Sequence, residues 1–448
     1  MWRGPARPFR GRTDVYPIRE CKNAPVKTHK DDELISSRDA LAMLGVKPQT
    51  LYAYVSRGLI RVAPSSSTSA RMYFRRDVEA VTAKGRSAAA ATSTAERSLR
   101  WGGAAVMHTA ITLVGPGGPV YRGQSALVLA RAGRSFEECA QLLWNGALPN
   151  EAPVWPAPAV PEAFASHARV ICAVAARNSS RHLLALAANA YIATMKRDGS
   201  AEPGRHQREA RQLIQVLAST FGLLRSRPRL APLAEPASVA TLVATSSGIP
   251  ARRPALAALN ACLVVTADHE LTPSTFVARI AASAGADAMS CITSALASFE
   301  GQQNGLGCDE CEQALLAAGS RKAYLTAIAR NLAERRAVAG FDHFVYPDGD
   351  PRGPYLLGIA TELAGKRADA SWMAAWIEAA RRQLGVRPSV VAGLVAVCAA
   401  LGMPRRSAGA LMALSRTAGW VAHSEEQRLS GVTVRPRARY IGVRAPES

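Results

Sequence analysis

Long stretches rich in Ala and Leu, spaced as amphipathic helices and broken by Pro and Gly, run from about residue 104 to the end of the chain. A period near 3.6 sustained over so many segments turns most apolar side chains onto helix faces, so the larger part of the chain is expected to be all-α. The spacing predicts helix over Ser166–Thr194, Arg208–Leu224, Pro254–His269, Ser274–Phe299, Cys311–Ala333, Ala368–Leu384 and Ser389–Leu401. Strand patterning is confined to Thr112–Tyr121. With 448 residues, 48% of them apolar, the chain can build two or three domains around a sizeable core. The longest apolar run, Val390–Met403, is too short to cross a bilayer and contains two glycines, which argues against a membrane protein. The opening residues are basic, proline-bearing and polar, without the apolar run of a secretory signal. Their Arg-richness is shared with transit peptides; the expectation is a cytoplasmic protein.

Eight cysteines are scattered, most of them inside apolar helical stretches, as expected of buried thiols in a reducing compartment. Cys308 and Cys311 form a lone CxxC with no second pair or nearby His, which gives no basis for a metal site. No permanently bound cofactor is expected.

The charge is uneven. Lys and Arg number 55 against 34 Asp and Glu, a formal net charge of +21. Residues 1–100 alone hold 19 basic and 9 acidic side chains, a density that favours a polyanionic partner. Residues 1–31 read as a loosely attached basic tail, 32–82 as a compact unit and 83–103 as a Ser/Ala-rich linker. In the compact unit Ser36 and Ser37 stand where an N-cap belongs, and Asp39 lies in the first turn. Gly45 breaks that helix, and Pro48 opens a second one that turns Leu51 and Val55 inward. Gln49, Thr50, Tyr52, Tyr54, Ser56 and Arg57 fall mostly on its outer face; a hairpin-like stretch runs from Arg61 to Phe74. This pattern resembles a MerR/excisionase-type winged helix-turn-helix. The resemblance implies a DNA partner, with Gln49, Thr50 and Tyr52 facing the major groove and Lys47, Arg57, Arg61, Arg71 and Arg75 near phosphates. A small helical domain used for protein contact would show the same packing pattern.

Four segments of the larger part concentrate histidine and arginine: Thr266–Thr275, Gly340–Arg352, Arg416–His423 and Arg435–Tyr440. Any one of these residues alone would most often be a surface or satisfied core group. Several arginine forks converging on one cleft suit a di- or tricarboxylate, and histidines beside them can donate to a carbonyl or move protons. In this order the segments resemble the citrate synthase family from about Ala110 to Gly442, including the stretch ITLVGPGGPVYRGQSALVLARAGRSFEECAQLLWNGALP. The resemblance implies an all-α fold with a large domain over 104–305, a small domain over 306–409 and a return to the large domain over 410–448. It implies condensation of acetyl-CoA with oxaloacetate, the acyl group becoming an alkyl group on transfer. His269 would bind oxaloacetate and His343 would contact its ketone. Arg352, Arg416 and Arg435 would hold the carboxylates, the last often supplied by a neighbouring subunit and hence a homodimer. Residues 337–344 would lie near CoA.

The chain departs from the family pattern at two places. The Gly-Pro-x-His-Gly segment, whose His steadies the enol, reads Gly301-Gln302-Gln303-Asn304-Gly305. The Pro-Asn-Val-Asp-Phe segment, whose Asp is the base, reads Pro388-Ser389-Val390-Val391-Ala392. Asn304 can still donate a hydrogen bond; Val391 cannot accept a proton. No Asp or Glu lies within several residues of Val391, so a replacement base would have to arrive from elsewhere in the fold, and Asp342, standing where the family has glycine before His343, is the candidate. The residues allow three readings: a metabolite-responsive DNA-binding protein with impaired catalysis, an active citrate or 2-methylcitrate synthase with a compensating base, and a relic with neither ligand nor activity.

Overall fold

The computed structural model describes residues 33–46, 48–56, 60–63, 72–79, 81, 107–177, 183–195, 204–231, 233–299, 306–365 and 368–435. Lys47, Arg57, Arg71 and Asn304, the basic tail and the linker lie outside the described residues. The chain forms two compact units, Met1–Val106 and Met107–Ser448.

In the first unit, β1 (Leu34–Ser36) leads into α1 (Ser37–Leu44), then α2 (Pro48–Ser56) and β2 (Met72–Phe74), which pairs antiparallel with β1. The Ser36 hydroxyl accepts from the Asp39 N–H, and Gly45 closes α1 at φ +64°, a conformation cheap only for glycine. Ile35, Ala40, Leu51, Ile60, Tyr73 and Val78 make a small core. Gln49 and Tyr52 are exposed and Thr50 is half-buried. Tyr54, expected outside, packs instead against this core. Arg61 and Arg75, expected near phosphates, are held by carboxylates: Arg61 bridges Asp77 through two nitrogens at 2.8 and 3.0 Å, and Arg75 pairs with Glu33 and Glu79, each at 2.9 Å. The exposed Arg75 pairs contribute about 0–1 kcal/mol each.

The second unit is all-α apart from a short antiparallel sheet of β3 (Thr112–Gly115), β4 (Gly118–Tyr121) and β5 (Gln124–Ser125). Its α-helices are α3 (Ala126–Arg131), α4 (Phe136–Asn145), α5 (Glu162–Arg177), α6 (Leu183–Thr194), α7 (Arg205–Ser219), α8 (Val239–Ser247), α9 (Arg253–Val265), α10 (Pro273–Ser283), α11 (Ala288–Phe299), α12 (Leu306–Ala318), α13 (Arg321–Ala333), α14 (Arg352–Ala364), α15 (Ala368–Leu384), α16 (Val390–Leu401) and α17 (Ser407–Ser430). Three expected single helices are divided, Ser166–Thr194 being covered by α5 and α6. Ser274–Phe299 breaks at Gly285, at φ +87°, and Cys311–Ala333 breaks at Gly319, at φ +65°. Both glycines take the left-handed conformation that ends helices.

Two close approaches set α14 against α16. A Cβ on Gly353 would stand 2.2 Å from the Pro388 carbonyl, and one on Gly393 would stand 2.7 Å from Leu356 Cβ. Only glycine lets these helices come so near, which brings their first residues side by side. α17 is the central helix, with 18 of its 24 residues buried. Its Gly419 admits Asp268, whose Oδ1 would stand 2.1 Å from an added Cβ.

Candidate functional site

Four of the five sequence-predicted ligand-binding residues converge in the second unit. His269 lies in the turn after α9, His343 in the loop before α14, Arg352 at the start of α14 and Arg416 in the middle of α17. The His269 and His343 rings are 5.5 Å apart, centroid to centroid, with Tyr346 at 5.6 and 5.1 Å from them respectively. His269 Nε2 and the Tyr346 hydroxyl are hydrogen-bonded at 2.8 Å. The Arg352 guanidinium lies over the Tyr346 ring, 5.3 Å from its centroid.

Arg352 is fixed by Asp350. Two guanidinium nitrogens donate to the two carboxylate oxygens at 2.9 Å each, and the Arg352 backbone N–H donates to Oδ1 at 3.1 Å. Asp350 also accepts the Val390 N–H at 2.9 Å, at the N-terminus of α16. The carboxylate is therefore fully engaged by the helix starts that the glycine contacts bring together, and its pKa is lowered because Arg352 outweighs the cost of burial. Arg352 Nη1 remains buried without an acceptor among the described residues.

Arg416 differs. It is 6% exposed, and both its Nε and its Nη1 are buried without an acceptor among the described residues. Burial pulls its pKa down, and the nearby Asp268 only partly offsets this. Asp268 is itself engaged: its Oδ2 accepts from His423 Nε2 at 3.2 Å and from the Glu270 N–H at 3.2 Å. The other ring nitrogen of His423 faces Arg279 at 3.3 Å, and Arg279 pairs with Glu426 at 2.6 Å. The Tyr121 hydroxyl donates to the Val264 carbonyl at 3.0 Å and accepts the Asp268 N–H at 3.3 Å, which steadies the turn carrying His269.

Both histidines are held neutral. Burial lowers the His269 pKa well below the usual imidazole range, and Arg352, Arg416 and His343 push in the same direction. His343 is lowered to about 4, first by burial and then by Arg352. Its Nδ1 accepts the Val345 N–H at 3.1 Å, which assigns the ring proton to Nε2 and leaves that group as a donor. The Tyr346 hydroxyl is pushed up to about 12 by burial and stays protonated. The arrangement supplies guanidinium forks, a neutral imidazole donor and a phenol in one largely buried cluster. That set of groups suits a small polyanion carrying a carbonyl.

Arg435 does not join the cluster; it is exposed beyond α17. Val391 lies in the first turn of α16, half-buried against the apolar core. Asp342 takes the strained φ of +47°, which explains a glycine preference there, and its carboxylate is occupied by Arg387 at 2.9 Å on an exposed flank. Among the described residues no group of three potential metal ligands occurs; the CxxC thiols are both buried and free. Tyr346, Asp350, Asp268 and His423 were not singled out from sequence. His423 carried one signal, since it stands seven residues, two helical turns, after Arg416.

The family model for the C-terminal domain of citrate synthase matches residues 100–437. Citrate synthase 2 of Bacillus subtilis is 27% identical over 325 residues, 69% of this chain and 86% of that protein. The 2-methylcitrate synthase 2 of Corynebacterium glutamicum is 27% identical over 353 residues, 75% of this chain and 92% of that protein. Among solved structures, the Thermoplasma acidophilum citrate synthase in ternary complex with carboxymethyl coenzyme A and oxaloacetate superposes with a TM-score of 0.65. It is 23% identical, and the match covers 77% of this chain and 96% of that one.

Proposed function

Because the chain belongs to the citrate synthase family, we propose that it binds oxaloacetate or a related dicarboxylate between Arg352, Arg416, His269 and His343, with impaired turnover of acetyl-CoA. The observation that carries this is the pair of buried arginines with three nitrogens lacking acceptors among the described residues, beside two neutral histidines. Leaving such donors unmatched in a dry site costs about 1–3 kcal/mol each, and two carboxylates would satisfy them. The Nε2–H of His343 would donate to the ketone oxygen; Arg352 Nη1 and Arg416 Nε and Nη1 would take the carboxylates. Removing a methyl proton from a thioester then needs a base. Val391 has none to offer, Asp350 is spent on Arg352, and Asp342 is spent on Arg387. Loss of a positioned base typically costs about 10²–10⁴ in rate.

The first unit extends the proposal: a basic helix-turn-helix-like unit joined to a dicarboxylate site suits a DNA-binding protein whose affinity responds to the metabolite. A homodimer would bring in Arg435 from a second copy. The other reading is an active synthase, and it is favoured by relatives named as citrate and 2-methylcitrate synthases.

Thiol release from acetyl-CoA with oxaloacetate separates them, measured on the wild type and on the Asn304→His/Val391→Asp variant. A silent wild type with a competent variant supports the proposal; wild-type turnover at ordinary enzyme rates refutes it. For the DNA-binding half, salt-dependent DNA affinity should shift on adding oxaloacetate. Affinity unchanged by any dicarboxylate would remove the coupling.

A further inference from the structure

A second concavity lies apart from the arginine–histidine cluster and shares no residue with it. It has a volume of about 820 Å³, within the roughly 300–1,000 Å³ range of small-molecule pockets. One wall is α5, where Phe164, Ala168 and Cys172 recur every four residues and so line a single helix face. The opposite wall is a strap over 228–231, with Leu233 and Ala234 also lining the cavity.

The strap is fixed by backbone hydrogen bonds: the Arg229 N–H donates to the Gly222 carbonyl at 3.1 Å and the Ala231 N–H to the Ser219 carbonyl at 3.4 Å. Gly222 permits this approach, since a Cβ there would stand 2.1 Å from the Arg229 carbonyl oxygen. The cavity is thus formed in advance of any occupant. Two cations line its walls, Arg169 from α5 and Arg229 from the strap, with Ser219 the one other polar side chain among mostly apolar ones. Both are exposed, and neither has an acidic partner among the described residues.

An apolar cleft with two guanidinium groups at its edge, unpaired among the described residues, matches an alkyl chain ending in one anion. The basic N-terminal residues of this chain carry the wrong charge for that edge. We propose that this cavity binds a medium- to long-chain fatty carboxylate, its chain lying along Phe164, Ala168 and Leu230 and its carboxylate between Arg169 and Arg229.

Cys172 supplies the test, because it is half-buried in the wall whereas the other described thiols are buried. In full-length Cys21→Ser protein, labelling of Cys172 by N-ethylmaleimide is followed by mass spectrometry while dodecanoate is titrated. Dodecanoate at micromolar concentration should slow labelling at least tenfold, and dodecanol should do so at least tenfold less effectively. Arg169→Gln with Arg229→Gln, both at exposed positions that leave the fold intact, should raise the half-protecting concentration about tenfold or more. Ala168→Trp should fill the cleft and remove the dodecanoate effect. Labelling unchanged up to millimolar dodecanoate, equal protection by dodecanol, or no shift in the arginine variant overturns the proposal.

Discussion

Replacing Arg416 by Met should weaken dicarboxylate binding severely while leaving the unliganded protein as stable as before, or more so. The reasoning rests on where the guanidinium stands. It is buried, and two of its nitrogens have no acceptor among the described residues. Its nearest counter-charge, Asp268, keeps His423 and the Glu270 N–H when Arg416 is gone. Methionine fills much of the same volume and needs no hydrogen bonds, so the apo protein sheds a desolvation cost that offsets the lost attraction to Asp268, whose Oδ1 has no hydrogen-bond partner among the described residues. The bound state loses about two charge-assisted hydrogen bonds at roughly 1.5–3 kcal/mol each, together about 3–6 kcal/mol, or two to four decades in Kd. Calorimetric titration with oxaloacetate gives the second quantity and differential scanning calorimetry of the apo protein the first. An apo Tm lowered by several degrees with Kd unchanged would mean that Arg416 is a structural cation, and the account of the site would fail.

Asp350→Asn should do the reverse of the Arg416 change. It leaves Arg352 buried without its counter-charge and loosens the start of α16, for a loss of about 3–5 kcal/mol in a chemical denaturation midpoint. Gly419→Ala drives a methyl group into the Asp268 carboxylate, 2.1 Å from Oδ1, and should cost roughly 1–3 kcal/mol by the same measurement. Stability should also fall as pH drops from about 6.5 toward 4. The unfolded chain protonates His269 and His343 there while the folded chain does not, His343 waiting until about 4. For the half-buried His343 this amounts to about 1–2 kcal/mol after allowance for solvent screening. The lowered carboxylates Asp268 and Asp350 act only below the ordinary Asp pKa of about 3.9, so His343→Asn should reduce the fall in the upper window to the part carried by His269 and leave the lower one.

The all-α class was legible because the helical period survives in nearly every segment. Helix ends were less legible, since Gly285 and Gly319 act through left-handed backbone angles that a run of Ala and Leu on both sides conceals. The longest helix, α17, escaped the pattern altogether. It starts after Arg406, which holds a left-handed φ of +68° with no side-chain cap, and its buried Arg416 and His423 interrupt the apolar run. Their partners on α10 and in the turn after α9 explain how they can be buried, and those partners are distant in sequence. The site was legible for the same reason it is costly. His269, His343, Arg352 and Arg416 stand in dense polar segments that a core would otherwise avoid. The roles of Asp350 and His423 depend on two helices meeting, which no local pattern encodes.

The two halves of the site are built to different standards, and that difference bears on a compensating base. On the anion side, Arg352 is braced and Arg416 is placed by packing: Gly353 and Gly393 bring α14 against α16, Asp350 ties Arg352 to the Val390 N–H, and Gly419 admits Asp268 on the helix that carries Arg416. On the side of Val391, the first turn of α16 passes directly into a buried apolar helix. A carboxylate reaching it from Asp342 would first have to leave Arg387. The Asp342 backbone is also held, its N–H donating to the Arg387 carbonyl at 2.8 Å and its φ confined to +47°. Releasing the exposed ion pair costs little, but turning the backbone means breaking that hydrogen bond and the neighbouring Phe341–Pro388 bridge. Rescue from that direction therefore works against the same contacts that hold α16 beside Arg352, so a gain in base would come with a loss in dicarboxylate binding.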